Sequence, residues 1–446
     1  MVEAALAAFV HAPPPLPEAV RAAGRLSLLN MIGCAIGGSG EAAIDKLCAM
    51  LPTFSGPAAC TLIGRSERGD ALWAAYVNAA SANIFDYDDT HIPTVIHPSA
   101  PVAAAVLALA EFRPVSGKVL LESFILGVEV ACHLGLALHP VHYARGWHIT
   151  STCGAFGAAM GCARLLDLGP RQIIDAMGHA LAQNGGSVET LGTMSKSLSV
   201  GLAARSGLMA ALLAEQGFTG PVAPISGKSG FLNLHSDQPD MNQLAQGIGR
   251  EWEILRNSFK PYPCGVVLNP VLEACLALHA EAVSGPVAAI DLTGHPLLRQ
   301  RTDRPGVTSG RLAQVSAQHA AAVSLLKGRA DLWAFSDEAV ALPDVKRLGA
   351  QVRFHDDPAM PLEAAEIRIS MADGRVFTHR VDAARGGLRN PLSKSDLVEK
   401  LKGQITYRDL DIDTARLDAA IDEIESAASG TAFLALTTDR PDRSIR

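Results

Sequence analysis

From residue 17 to about residue 260 the chain is a succession of apolar segments rich in alanine and glycine, separated by loops that contain glycine or proline. The segment HPSAPVAAAVLALAEF has Ser99 as a candidate N-cap and Pro101 in its first turn. The segment KVLLESFILGVEVACHLGLAL repeats apolar residues at helical spacing. Because aromatic residues make up only 5% of the sequence, closely approaching helices are favoured over a β sandwich. This part of the chain is predicted to be a large, all-helical domain.

The pattern changes at about residue 270. PVAAIDLTGH and GAQVRFHDD are typical of strands, and AEIRISMADGRVFTHRV predicts a hairpin with a type I′ turn at Asp373-Gly374. SGRLAQVSAQHAAAVSLLKG, which lies between them, is predicted to be one amphipathic helix. The predicted fold is therefore mainly α with an α+β part. The domains are predicted at 1–268 (helical), 269–395 (a smaller α+β domain) and 396–446 (a return to the helical domain, with a C-terminal tail).

Composition and motifs exclude several function classes. A net charge of −7 argues against a nucleic-acid partner. The eight cysteines are scattered without a C-x-x-C pair, which favours reduced, buried thiols over a zinc site. The sequence has no uninterrupted apolar run of 18 residues and no signal-peptide pattern at its start, so we expect a cytoplasmic protein with no membrane partner. The absence of P-loop, G-x-G-x-x-G and G-x-S-x-G motifs leaves nucleotide cofactors and serine-hydrolase chemistry unsupported.

The stretch FDYDDTHIPTVIHPS gathers Asp86, Asp88, Asp89, His91 and His97. Carboxylates with imidazoles suit Mg²⁺, Mn²⁺ or Zn²⁺, but here the three carboxylates lie within four residues and no other acidic run accompanies them. Aspartates also form turns by accepting hydrogen bonds from nearby backbone. We therefore predict no metal, and a structural role for Asp88 and Asp89.

Three further stretches place cations among apolar or small residues. HYARGWHITSTCGAFGA carries Tyr143, Arg145 and His148, ETLGTMSKSLSVGLAARSG carries Lys196, and SFKPYPCGVVLNP carries Lys260. Such a set suits a small polycarboxylate, because arginine and lysine bind carboxylates and neighbouring like charges lower a lysine pKa toward that of a useful base. Two plainer interpretations stay open: a surface lysine with a buried stem, and a solvated loop.

These four blocks, taken in order, resemble the MmgE/PrpD family. FDYDDTHIPTVIHPSAPV resembles its D-[YF]-D-D-T-H…H-P-S signature, and GWHITSTCGAFGAA its glycine-rich histidine block. The third stretch resembles the segment that carries the family's lysine, and KPYPCG resembles its K-P-Y-P-C block. The resemblance implies a large all-α domain, a smaller α+β lid domain, a homodimer, and catalysis without metal or organic cofactor.

Carried over by position, the resemblance makes Asp86, Thr90, His97, His148, Lys196 and Lys260 site residues. The roles of Tyr143, Arg145 and His91 rest on their chemistry alone. One departure follows the fourth block, where GVVLNP has Gly265 and Asn269 in place of the Cys and His of many relatives. The loss of that donor argues against the family's dehydratase substrate.

The family's reactions include dehydration of 2-methylcitrate, decarboxylation of cis-aconitate and epimerisation of iminodisuccinate. We predict an isomerase that epimerises a small dicarboxylate such as iminodisuccinate, because Lys196 and Tyr143 supply two acid–base groups. The alternatives are a dehydratase or decarboxylase-type lyase, and a non-catalytic carboxylate-binding homologue. A metal-dependent hydro-lyase would be inactivated by a chelator, which we do not expect. The predicted catalytic residues are Lys196, Tyr143, Asp86 and His148, and the predicted substrate-binding residues are Arg145, His97, Thr90, His91 and Lys260.

Overall fold

A computed structural model describes residues 2–281 and 285–438 and divides the chain into two compact units. The first unit takes in Met1–Ile84, Asp88–Asn257 and Leu397–Arg446, and the second takes in Phe85–Tyr87 and Ser258–Asp396. The predicted fold class, mainly α with an α+β part, is confirmed. The end of the predicted C-terminal tail, 439–446, lies outside the described residues.

The first unit is a helical bundle in which α9 packs against α7, α10 and α11, while α5 packs against α6 and α11. Short strands β1 (Cys60–Thr61) and β2 (Arg68–Gly69) form an antiparallel pair at its edge, and β3 spans Thr90–His91. Its helices are α1 (Val2–His11), α2 (Glu18–Gly38), α3 (Ala42–Cys48), α4 (Leu51–Phe54), α5 (Ala71–Asn83), α6 (Ser99–Phe112), α7 (Gly117–Leu138), α8 (Val141–Ala144), α9 (Ile149–Leu165), α10 (Pro170–Ala182), α11 (Ser195–Glu215), α12 (Phe231–His235), α13 (Met241–Gly247), α20 (Lys394–Tyr407) and α21 (Thr414–Asp422).

Helices α7 and α9 approach so closely that their backbones nearly touch. A Cβ atom added at Gly157 would lie 2.7 Å from the carbonyl oxygen of Gly127 and 2.8 Å from the Cβ of Ala131. On the other side of α9, a Cβ at Gly207 of α11 would lie 2.6 Å from the carbonyl oxygen of Ala155. The abundant glycine and alanine thus set the helix spacing that the sequence predicted.

Alanine at Gly157 is expected to lower the free energy of unfolding by roughly 1–3 kcal/mol, because backbone and not a flexible side chain must move to admit the methyl group. Gly403, inside α20, is a matched control, because a Cβ there meets nothing within 4 Å. Its replacement by alanine should raise the free energy of unfolding by roughly 0.5–1 kcal/mol. Urea titration of both variants measures this, and a shift of the same sign in both would contradict the packing argument.

Among the residues that the structure describes, three helices of the first unit are long and apolar enough to cross a membrane, judged by length and composition only. They are α2, α7 and α11, and 67%, 83% and 61% of their most apolar windows are buried inside the structure. The apolar character of these helices therefore has an explanation in packing. The predicted absence of a membrane partner stays a prediction.

The second unit is built on a four-stranded sheet in the order β6-β5-β7-β8, where β5 and β6 are parallel and the other pairs antiparallel. Buried residues of α14, α17 and α19 form one hydrophobic cluster with β5 and β7. Strand β4 (Asn257–Ser258) lies where the chain passes from the first unit to the second. The other elements are α14 (Asn269–Ala280), β5 (Val287–Gly294), α15 (Pro296–Thr302), α16 (Gly310–Ala313), α17 (Ala317–Lys327), α18 (Asp337–Ala341), α19 (Pro343–Gly349), β6 (Val352–Asp356), β7 (Ala365–Met371) and β8 (Val376–Val381).

Both predicted strands and the predicted hairpin are confirmed, with two local corrections. The prediction of a type I′ turn is wrong, because Gly374 has a φ of 88° but Asp373 does not have the positive φ that this turn also needs. The prediction of one helix over 309–328 is also wrong. The helix is interrupted between α16 and α17, because the Ser316 side chain accepts a hydrogen bond from the backbone N–H of His319 and caps α17.

Candidate active site

The acidic loop before α6 is held by its own aspartates. Asn83 donates a 2.8 Å hydrogen bond to Asp88, and Asp89 accepts hydrogen bonds from Ser99 and Asn257. Burial raises the pKa of Asp89 to about 7, the charge of Asp88 adds to the rise, and the two hydrogen bonds oppose it. These hydrogen bonds support the structural role predicted for Asp88 and Asp89. Ser99 is the first residue of α6 and bonds to Asp89, so its prediction as N-cap is wrong.

His97 contacts polar groups of the acidic loop and of α9. Its Nδ1 atom lies 2.8 Å from the carbonyl oxygen of Asp89 and 3.4 Å from the hydroxyl of Thr90. Its backbone N–H donates a 3.1 Å hydrogen bond to the hydroxyl of Thr150. The structure therefore brings together Thr90 and His97, both predicted from the sequence. It also adds Thr150, which was not predicted as a site residue.

His91 is fully buried, and both of its ring nitrogens contact protein groups. Nε2 lies 2.7 Å from a carboxylate oxygen of Glu253, and Nδ1 lies 2.7 Å from the hydroxyl of Thr94. Burial lowers the pKa of His91, so the neutral ring donates from Nε2 to Glu253 and accepts from Thr94. The structure thus gives His91 a scaffold role. Both ring nitrogens contact protein groups, so the structure does not support the substrate-binding role predicted for it.

His91 and Ile96 bracket a tight turn that leads to His97. The backbone N–H of His91 donates to Ile96, and the N–H of Val95 donates back to His91, both at 2.8 Å. Val95 has a φ of 57°, in the left-handed region that β-branched residues rarely adopt. The anchored His91 therefore supports a strained turn next to the predicted site histidine.

His148 and Lys196 are linked by two serines that the sequence analysis did not single out. The Nδ1 atom of His148 lies 2.7 Å from the hydroxyl of Ser151, which lies 2.7 Å from the hydroxyl of Ser199. Ser199 in turn donates a 2.7 Å hydrogen bond to the backbone carbonyl of Lys196, three residues earlier on α11. Lys196 and His148 are 7% and 3% exposed, so the interpretation of Lys196 as a surface lysine is not supported.

Tyr143 and Arg145 lie on and just after the short helix α8. Tyr143 is half-buried and packs against the hydrophobic cluster formed by α1, α7, α9 and α10. The guanidinium of Arg145 forms an ion pair with Asp237, whose side chain is 84% exposed. To clamp a substrate carboxylate, as predicted, Arg145 would first have to leave this ion pair.

The rings of His142, Trp147 and His235 pack against one another, and both histidines are buried. The ring of His142 lies 5.0 Å from that of His235 and 6.3 Å from that of Trp147, and Trp147 meets His235 edge-on at 4.7 Å. The Nε2 atom of His142 lies 3.1 Å from the hydroxyl of Thr152, and its Nδ1 atom has no hydrogen-bond partner in the described part of the chain. Burial lowers the pKa of His142 to about 3, with the charge of His235 adding to the fall.

The low pKa of His142 predicts acid sensitivity of the first unit. The folded protein binds a proton at His142 more weakly than the unfolded chain does. The contribution of neutral His142 to the free energy of unfolding is therefore fully present above about pH 6.5 and is lost as the pH falls toward 3. His142→Phe should remove up to about 1.4 kcal/mol per pH unit from the slope of the unfolding free energy in that window. Equal slopes in wild type and His142→Phe would contradict the assignment.

Asp86 and Lys260 both belong to the second unit. The ammonium of Lys260, 2% exposed, donates a 2.7 Å hydrogen bond to the carbonyl oxygen of Asp86 and lies 3.3 Å from its carboxylate. Asp86 has a φ of 54°, which aspartate tolerates better than most residues. The segment around it is further held by bonds from Tyr87 to Pro261 and from Gln314 to Phe85. Two predicted site residues 174 positions apart are thus brought together.

The helical unit with its buried lysine and histidines, and the second unit with its Asp86–Lys260 pair, define the class to which this chain belongs. Residues 4–244 match the MmgE/PrpD N-terminal domain, and residues 262–424 match the MmgE/PrpD C-terminal domain. The chain is a member of the MmgE/PrpD family.

Its relatives among characterised proteins include enzymes named cis-aconitate decarboxylase. The mouse protein is 29% identical over 399 residues, which cover 84% of this chain and 80% of the mouse protein. The human protein is 28% identical over 78% of this chain and 76% of its own length, and the Aspergillus terreus protein is 26% identical over 88% and 86%. These relatives are lyases, which fits the alternative reaction class of the sequence analysis and not the isomerase class placed first.

Proposed function

We propose that this protein is a lyase that decarboxylates a small polycarboxylate of the cis-aconitate type. The observation that carries the proposal is the hydrogen-bonded line from His148 through Ser151 and Ser199 to Lys196. It connects the ring of His148 to the backbone of Lys196, so two buried acid–base residues lie in one part of the helical unit, in a chain whose relatives are named for decarboxylation of cis-aconitate.

Decarboxylation of a small polycarboxylate needs few protein groups. The bond between a carboxylate carbon and the substrate skeleton breaks, CO₂ leaves, and the electron pair stays on the skeleton. A proton then adds to the carbon skeleton, so that one proton is consumed for each CO₂ released. Cationic groups near the remaining carboxylates stabilise the charge that develops in the transition state.

The residues of each unit are assigned to these needs by their chemistry. Lys196 delivers the proton to carbon, and His148 exchanges protons with the lysine or with water. His97, with Thr90 beside it, and Lys260, with Asp86 beside it, bind substrate carboxylates. In this assignment Asp86 orients Lys260 and serves as no base.

Epimerisation is the reaction that this arrangement favours less. It needs two acid–base groups on opposite faces of one carbon, and Tyr143 was predicted as the second of them. The ring of Tyr143 packs on the hydrophobic cluster, and its neighbour Arg145 is paired with Asp237. A decarboxylase needs a proton donor on one face only, which Lys196 supplies.

The proposal is tested by incubating the purified protein in D₂O with cis-aconitate, iminodisuccinate and 2-methylcitrate in parallel, followed by NMR. We expect cis-aconitate to be consumed, with one deuterium in the product for each CO₂ released. Hydrogen exchange at iminodisuccinate with cis-aconitate untouched would overturn the proposal in favour of an epimerase. A new conjugated acid formed from 2-methylcitrate alone would indicate a dehydratase. Binding without turnover of any of the three would indicate a non-catalytic homologue.

A further inference from the structure

We infer that Ser151 and Ser199 are positioning residues that hold the neutral ring of His148 in its Nδ1–H tautomer, with the lone pair on Nε2. The tautomer follows from hydrogen bonds within the first unit alone. Its meaning for catalysis rests on the proposed function.

The direction of the hydrogen bonds is set at the Lys196 end of the line. A carbonyl oxygen accepts and never donates, so the single hydroxyl hydrogen of Ser199 is committed to the carbonyl of Lys196. In the contact between the two serines, Ser151 must therefore donate its own hydrogen to the oxygen of Ser199. Ser151 then has no hydrogen left for His148 and accepts from it, so Nδ1 carries the proton.

The opposite tautomer would break this line. With the lone pair on Nδ1, Ser151 would have to donate its hydrogen to His148. The oxygens of Ser151 and Ser199 would then lie 2.7 Å apart with no hydrogen between them. Ser199 could supply that hydrogen only by giving up its hydrogen bond to Lys196. The same three contacts would then hold two hydrogen bonds instead of three. Nδ1 also lies 3.2 Å from the hydroxyl of Ser199, which an Nδ1–H can share.

The backbone around His148 fixes the ring further. The N–H of His148 donates a 3.1 Å hydrogen bond to the carbonyl of Gly186, and the N–H of Ser151 donates to the carbonyl of His148 at 3.0 Å. Gly186 has a φ of 131°, and a Cβ atom there would lie 2.7 Å from the Cβ of Ser151. Glycine at 186 therefore allows the close approach that keeps Ser151 against the histidine.

The tautomer decides what His148 can do in the proposed reaction. A neutral ring with its lone pair on Nε2 accepts a proton or a hydrogen bond there and donates none to a carboxylate. His148 is thus suited to take up a proton and pass it on, and not to bind a substrate carboxylate while neutral.

The test is the ¹⁵N spectrum of histidine-labelled protein at pH 8, where long-range correlations distinguish a protonated ring nitrogen from one with a lone pair. The sequence has 14 histidines, so the His148 signals are assigned by their loss in His148→Gln. We expect Nδ1 of wild-type His148 to be protonated and Nε2 unprotonated. Ser151→Ala and Ser199→Ala should shift the ring toward the Nε2–H form or a mixture, and Ser199→Thr, which keeps the hydroxyl, should restore the wild-type spectrum.

Ser123→Ala is the matched control, because this buried serine on α7 has a hydroxyl without a hydrogen-bond partner in the part of the chain that the structure describes. It should leave the His148 signals unchanged. A lone pair on Nδ1 in the wild type, or an unchanged spectrum in both alanine variants, would overturn the inference.

Activity provides the second readout. If the proposed function holds, Ser199→Ala should lower kcat by roughly 10- to 100-fold, a part of what general acid–base catalysis contributes, with KM within about twofold. The two claims fail separately: a protein inactive on cis-aconitate still reports the tautomer of His148 in the spectrum. A spectrum that contradicts the tautomer would, in turn, leave the proposal of decarboxylation standing.

Discussion

If the proposed function holds, replacement of Lys196 by methionine is expected to lower kcat on cis-aconitate by about 10²- to 10⁴-fold, the range that a positioned acid–base group contributes. Methionine is close to lysine in length and suits a side chain that is only 7% exposed. The hydrogen bond from Ser199 ends on the backbone carbonyl of Lys196 and survives the substitution. The loss should therefore come from the missing ammonium and not from the fold.

Steady-state kinetics with a urea titration of the same variant measure both effects. Lys228, exposed and in the same unit, is the matched control, and Lys228→Met should keep wild-type activity. An active Lys196→Met variant would remove this lysine from the reaction. A third outcome is that the wild type itself does not turn over cis-aconitate. If Lys196→Met then has wild-type stability but binds cis-aconitate more weakly, Lys196 would be assigned to binding.

Glu253→Leu is expected to lower the free energy of unfolding by about 3 kcal/mol, because it leaves the buried N–H of His91 without its acceptor. Glu253 is 1% exposed and also lies 3.0 Å from Arg256. Burial acts to raise its pKa, but the hydrogen bond from the neutral His91 ring and the charge of Arg256 lower it below the ordinary value, so the carboxylate is ionised at neutral pH. Arg256 is 46% exposed and contributes little to the loss.

A double-mutant cycle separates this pair from its surroundings. Glu253→Leu combined with His91→Phe should cost less than the sum of the two single changes, because the second change removes the orphaned donor. Glu251→Leu, at an exposed carboxylate nearby, should leave stability within about 0.5 kcal/mol of the wild type. Strict additivity of the two buried changes, measured by urea unfolding, would contradict the account of His91 as an anchor.

Local chemistry explains which parts of the site the sequence could predict. Asp88 bonds to Asn83, five residues away, and Asp89 bonds to Ser99, ten residues away. A structural role for both aspartates could therefore be predicted from the local sequence. His91 bonds to Glu253, 162 residues away, and no local sequence pattern predicts such a distant partner. The prediction of His91 as a substrate ligand rested on its position beside Thr90, and the structure does not support it.

Ser151 and Ser199 could be predicted from the sequence only in part. Ser199 follows Lys196 by three residues on a predicted helix, and serine bonding back to a carbonyl one turn earlier is a familiar helical contact. That spacing was a usable signal. The meeting of Ser199 with Ser151 depends on how closely α9 and α11 pack, which the richness in glycine and alanine indicates only in general terms.

The helical part and the sheet part of the fold were predicted from periodicity, but the capping by Ser316 was not. The apolar spacing continues across residues 309–328, so the pattern favours one helix. In the structure the Ser316 hydroxyl accepts a hydrogen bond from the N–H of His319, and a second helix, α17, begins there. Side chains that cap helices act over three residues and leave the hydrophobic period unchanged.

We propose that this chain removes CO₂ from a small polycarboxylate with protons supplied by its own side chains. The most direct measurement is the release of ¹³CO₂ from uniformly ¹³C-labelled cis-aconitate by the wild-type protein, with Lys196→Met alongside. The account predicts ¹³CO₂ in equal amount to the cis-aconitate consumed, and release from the variant reduced by at least about 100-fold. Consumption of cis-aconitate without ¹³CO₂, or equal release by both proteins, would contradict it.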